Sequence, residues 1–224
     1  MSTLTLVRHG QAEPFQKEQS LLTAIGQAQA AALAQYWLRH RVQFDEVISG
    51  ELPRQIGTEQ IVAQSFQAAG QPWPAAQRDP SWNEYDAVGV LQGSAFSGLH
   101  EQSRNNPREF QRIFESAMLK WIDGKIAGNG YEPWTAFRDR VSAAIRRIMD
   151  GPPSRRVVVF TSGGPIGFSV QHALQAPAKS FLDVNWRIRN ASVSEFIFDR
   201  GRFTLDSFNG IPHLVEDAAM RTWR

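Results

Sequence analysis

The chain has 224 residues, 42% of them apolar, with 24 lysines and arginines against 22 acidic residues for a formal charge of +2, and no cysteine. That apolar share supports a sizeable core and excludes a disordered chain, while the lack of cysteine excludes disulfides, thiolate metal sites and a cysteine nucleophile. No apolar run is long enough to span a membrane, the start shows no charged segment ahead of an apolar one, and the positive charges are dispersed. The expected setting is cytoplasmic, with neither a membrane nor a nucleic-acid partner and with the oligomeric state open.

Residues 4–7 form a short apolar run that reads as a buried strand and delivers Arg8, His9 and Gly10 at its end. A neutral imidazole can attack phosphorus when a fixed cation neutralises the phosphoryl oxygens. Arg8 supplies that cation, and Gly10 lacks the Cβ that would crowd an approaching phosphate. Read alone, the triplet favours a plainer account: a solvated arginine and an ordinary loop histidine at a strand end.

Thr23 reads as the N-cap of a helix rich in Ala, Gln and Leu that runs to about Leu38. A second strand follows at residues 46–48, and Pro53 suits the first turn of the next helix. Arg54 then lies at the positive end of that helix, where a guanidinium suits a phosphate; the alternative is a surface arginine paired with Glu51 or Glu59. Between residues 72 and 134 the alternation is lost. Phe110, Ile113, Phe114, Ala117, Met118, Trp121 and Ile122 nevertheless share one helical stripe, which we read as part of a helical lid insertion at residues 90–130.

Regularity returns with a helix over residues 134–149, whose Phe137, Val141, Ile145 and Ile148 share a face. Val157, Val158, Val159 and Phe160 make the clearest buried strand, and Gly163-Gly164-Pro165 opens another helix. Residues 192–198 and 203–208 read as a hairpin turning at residues 199–202. This order predicts a single α/β domain over residues 1–224: a mostly parallel sheet between helical layers, with an antiparallel edge. Ligands in such sheets gather beyond the carboxyl ends of the strands, where Arg8-His9-Gly10, the segment carrying Arg54, and Thr161-Ser162-Gly163-Gly164 all fall.

Leu6-Val7-Arg8-His9-Gly10 resembles the signature of the histidine phosphatase superfamily, which includes phosphoglycerate mutases and many phosphomonoesterases. Ser49, Leu52, Arg54 and Thr58 are similar to its second motif, and Leu22-Thr23 with Gly26-Gln27 to the start of its first helix. Residues 157–166 are similar to its last catalytic motif. Asn190-Ala191-Ser192-Val193 and residues 209–214 also fit, so the resemblance covers most of the chain.

The resemblance implies a phosphoglycerate-mutase-like three-layer α/β/α fold and a nucleophilic His9 that becomes a phosphohistidine. Arg8 and Arg54 would clamp the phosphoryl oxygens, and Glu84, its pKa raised by burial near Trp82 or Tyr85, would act as general acid. Gly10, Ser162 and Gly163 would complete the phosphate site.

Two features depart from the pattern. Ser162 stands where the family carries a second histidine, replacing a charged donor by a neutral hydroxyl; loss of one such stabiliser typically costs on the order of 10²–10³ in rate. Gly89 follows Glu84 by five residues instead of four, which leaves Asp86 as a substitute acid. His213 is a structural residue or a replacement imidazole, and His100 lies in the expected insertion. The implied activity is phosphomonoester hydrolysis of a phosphorylated small molecule or other phosphorylated substrate, with no cofactor and no metal. Alternatives are a phosphoglycerate-mutase-type phosphotransferase and a non-catalytic phosphate-binding or regulatory module.

Overall fold

A computed structural model describes residues 1–13, 21–94, 106–126 and 130–223. His100 and much of the expected insertion lie outside the described residues. Chain order is β1 (Ser2–Arg8), α1 (Ala24–Arg39), β2 (Glu46–Ser49), α2 (Pro53–Ala68), β3 (Gln77–Arg78), α3 (Ala87–Gly93), α4 (Pro107–Ile122), α5 (Trp134–Met149), β4 (Arg156–Thr161), α6 (Gly163–Ala173), α7 (Ser180–Asn185), β5 (Val193–Phe198) and β6 (Phe203–Gly210). Short 3₁₀ turns at Pro80–Trp82, Pro212–Leu214 and Ala218–Met220 link them.

The six strands form one sheet in the order β3-β2-β4-β1-β5-β6. The β3, β2, β4 and β1 strands run parallel, and β5 and β6 are the antiparallel edge. Side-chain alternation divides the central strands between two apolar layers. Leu4, Leu6, Val157 and Val159 join Phe137, Val141, Ile145, Ile166 and Phe181 on one face. Val7, Val47, Val158 and Phe160 join Leu33, Trp37, Val62 and Phe66 on the other. Both faces of β4 are covered, so its unbroken run of valines carries no polar alternation.

The predicted helices and the hairpin form. Thr23 caps α1 by accepting from the Gly26 amide at 3.1 Å, and Asp199 ties the β5–β6 turn by accepting from the amides of Gly201 and Arg202, each at 2.9 Å. β3, α3 and α7 are additions to the sequence reading: two residues of strand and one or two turns of helix are too short for periodicity to register. The apolar stripe of α4 is packed into the main core, with Phe110, Met118 and Trp121 all but fully buried. Among the described residues no helix is long and apolar enough to cross a membrane.

Candidate active site

The parallel register aligns Arg8 with Thr161 and Ser49 with Phe160, so β1, β2 and β4 end at one level. His9 follows directly, its amide donating to the Thr161 carbonyl at 2.9 Å. The His9 carbonyl accepts from the Ala191 amide at 3.2 Å and from Asn190 Nδ2 at 3.3 Å. Ala191 meets it from a left-handed conformation with φ of 54°, a strained geometry for a residue bearing a Cβ. The backbone of His9 is thereby held on several sides.

The ring of His9 is 6% exposed and has a different partner at each nitrogen. Nδ1 lies 2.7 Å from the Gly10 carbonyl, which can only accept, so Nδ1 carries the proton. Nε2 then presents a lone pair, to which Arg54 Nε donates at 3.1 Å. Burial, followed by the charges of Arg54 and Arg8, lowers the imidazole pKa well below 6.5, so the ring is neutral at pH 7.

Arg54 occupies the first turn of α2, as its spacing from Pro53 implies, and its Nε is spent on His9. Glu59, offered by the sequence as its ion-pair partner, instead binds Arg78 at 3.1 Å and Trp73 Nε1 at 3.2 Å. Arg8 reaches the carbonyls of Ile188 and Trp223, the latter at 2.9 Å.

The Glu84 carboxyl sits against the start of α6, both oxygens accepting from the Gly164 amide at 3.0 and 3.2 Å and Oε1 also from the Tyr85 amide at 3.2 Å. An added Cβ at Gly164 would lie 2.0 Å from Glu84 Oε1, so this approach demands glycine. Burial raises the Glu84 pKa, against the opposing pull of Arg54, the Gly164 amide and Arg8. Asp86 serves as the N-cap of α3, accepting from the Gly89 amide at 2.9 Å, which gives the longer Glu84 to Gly89 spacing a local role.

Arg8, His9, Arg54, Glu84 and Gly163 line one cavity of about 960 Å³. Phe114, Trp186 and Trp223 form apolar parts of its wall, and Glu115, Asp183 and Arg187 are among its charged members. Ser162 and Gly10 lie beneath this lining. Ser162 is fully buried, and its hydroxyl accepts from Gln55 Nε2 at 2.9 Å. At Gly10 a Cβ would meet the Gly26 carbonyl at 2.3 Å, so the glycine serves contact with α1 rather than access for a ligand, and its amide donates to Thr58 Oγ1 at 3.0 Å. His213 lines a different cavity with Tyr36 and His40, away from His9.

Several supporting residues were invisible to sequence reasoning. Gln55 and Arg140 bind backbone around the acid, and nothing in their spacing marks them, because their partners are carbonyls contributed by a distant loop. Asn190 is legible in the sequence only as part of the Asn190-Ala191-Ser192-Val193 segment. Among the described residues there is no group of three or more His, Asp or Glu able to hold a metal ion.

The sequence model of the histidine phosphatase superfamily (branch 1) matches residues 4–210. "Phosphoglycerate mutase-like protein 4" of Arabidopsis thaliana is 26% identical over 227 residues, covering 98% of this chain and 90% of that protein. Among solved structures, Bacillus stearothermophilus YhfR superposes with a TM-score of 0.71 at 20% identity, covering 96% of this chain and 100% of that one. A mutant phosphoserine phosphatase from Entamoeba histolytica, in complex with phosphoserine, superposes with a TM-score of 0.67 at 19% identity and the same coverage. These structures share the α/β fold described above.

Proposed function

The chain belongs to the histidine phosphatase superfamily, branch 1, and from that premise we propose that it is a phosphomonoester hydrolase acting through a phosphohistidine at His9. The observation that carries this reading is the His9 ring, neutral, with Nδ1 tied to the Gly10 carbonyl and the Nε2 lone pair facing Arg54 in the cavity. Nε2 attacks phosphorus as the ester P–O bond breaks, and the Glu84 carboxyl gives its proton to the departing oxygen. Water then attacks the phosphohistidine, its proton passes to the Glu84 carboxylate, and the P–N bond breaks to return neutral His9 and inorganic phosphate. Arg8 and Arg54 hold the non-bridging oxygens throughout. No step needs a metal or cofactor, the substrate is a phosphorylated small molecule, and the setting is the cytoplasm.

Hydrolysis of an aryl phosphate in the presence of a chelator, compared between wild type and His9→Ala, tests this reading. The expected result is turnover that vanishes in His9→Ala, with acid-labile, base-stable phosphate trapped on the quenched wild type. Wild-type turnover no greater than that of His9→Ala would overturn it and favour a phosphate-binding or regulatory module, which the neutral Ser162 motivates. The pH dependence has a stated sign. On an alkyl phosphate, whose leaving oxygen needs the acid, kcat/KM rises as His9 loses its proton below pH 6.5 and falls as Glu84 loses its own above 4.5, so Glu84→Gln removes the falling limb. A phosphotransferase reading draws on the Arabidopsis relative's name; it predicts exchange of phosphate between 3-phosphoglycerate and 2,3-bisphosphoglycerate faster than release of inorganic phosphate.

A further inference from the structure

Glu84 lies just past the 3₁₀ turn Pro80–Trp82, on the segment of residues 81–84 that runs from that turn into irregular chain ahead of α3, yet a general acid must be held to a fraction of an ångström. That segment is gripped from two opposed elements. From α5, the Arg140 guanidinium donates to the carbonyls of Ser81 at 2.8 Å, Asn83 at 2.8 Å and Glu84 at 3.4 Å. Arg140 is itself oriented by Glu132, at 2.5 and 2.9 Å, and lies over the Phe137 ring with 4.9 Å to the centroid. From the first turn of α2, buried Gln55 donates Nε2 to the Trp82 carbonyl at 3.0 Å, and Thr161 Oγ1 donates to the same oxygen at 2.6 Å. Carbonyls of all four residues of the segment are thereby engaged by side chains from outside it.

We infer that Arg140 and Gln55 are positioning residues that hold the Glu84 carboxyl at the leaving-group oxygen. The inference rests on the phosphohydrolase reading. Neither side chain is a proton donor in the reaction: a guanidinium does not release its proton near neutral pH, and the Gln55 amide is taken up by Trp82, Ser162 and the Leu52 amide, the last at 3.1 Å. Their effect passes through Glu84, so it depends on how much help the leaving group needs. A 4-nitrophenolate departs without protonation, whereas the alkoxide of β-glycerol phosphate requires the acid.

The test compares kcat/KM for 4-nitrophenyl phosphate and β-glycerol phosphate in wild type, Arg140→Met, Arg140→Lys and Gln55→Met, each confirmed folded by circular dichroism and thermal melting. Arg140→Met is expected to lose about 10²-fold on the alkyl ester, the lower end of a general acid's contribution, and less than about fivefold on the aryl ester. Arg140→Lys, which retains one cationic donor but not the fork, is expected to recover part of the alkyl activity. Equal losses on both esters, or no loss on either, would overturn the inference and leave a structural role. If Arg140→Met does not fold, Gln55→Met carries the same criterion with the Arg140 bonds intact. A wild type active on the aryl ester alone would also overturn it, since no acid assistance would remain to be positioned. A wild type inactive on both overturns the phosphohydrolase reading itself, a separate and recognisable outcome.

Discussion

Ser162 is buried beneath the pocket that holds His9, with Gln55 as a hydrogen-bonding partner, and that pairing decides what an imidazole at position 162 would do. An imidazole at position 162 brings four more ring atoms than a hydroxyl, and the Gln55 amide stands 2.9 Å from the existing oxygen. Ser162→His alone is therefore expected to lower kcat, because the ring is forced into space that Gln55 already fills. Shortening position 55 makes room, so Ser162→His combined with Gln55→Ala should exceed Ser162→His in kcat by about tenfold or more, part of what one transition-state donor contributes. Steady-state kinetics on an aryl phosphate checks this; a single variant faster than the double would show that the two positions are not coupled.

At the scale of elements, close backbone approach decides where His9 sits. The turn after β1 runs against the start of α1 so tightly that a Cβ on Gly26 would fall 2.0 Å from the Gln11 carbonyl. Gly26→Ala is expected to destabilise the protein by about 1–3 kcal/mol, the range for forcing an atom into filled space. Gly57, within α2, is the contrast: its added Cβ meets only the Leu22 side chain, at 3.3 Å. Gly57→Ala should change stability by less than about 1 kcal/mol, since better helix propensity offsets a small side-chain shift. Urea unfolding of the two variants separates them, and equal midpoints would refute the distinction. The elements are legible where the apolar period runs long, as in α5 and β4, and illegible where hydrogen bonds to distant backbone define a two-residue strand, as in β3, or where a helix is too short to show a period, as in α3.

For the whole molecule, histidines wholly or partly withdrawn from water contribute to the response to acid. Burial lowers the pKa of His213 to about 4, and burial likewise lowers those of His9 and His172. The unfolded chain binds protons at these sites from about pH 6.5 downward while the folded chain does not, so stability is retained above that pH and lost as pH falls toward 4. Glu84, with its raised pKa, acts in the opposite sense. His213 alone contributes on the order of 3 kcal/mol across that window. His213→Leu should therefore flatten the fall in melting temperature between pH 7 and 5 without abolishing it; an unchanged slope would remove His213 as a cause. The sequence by itself determined the alternation of strands and helices, the family, and the strand-end positions of Arg8, His9 and Arg54, because apolar periodicity and a contiguous motif are local properties of the chain. Only the tertiary structure decided that Gly10 meets α1, that Ser162 is bound by Gln55, and that Arg140 grips the loop of Glu84. Those contacts join residues distant in sequence: the first and third are made to backbone atoms, and a backbone carbonyl has no letter in a sequence, while the second is a side-chain pair that only the fold brings together.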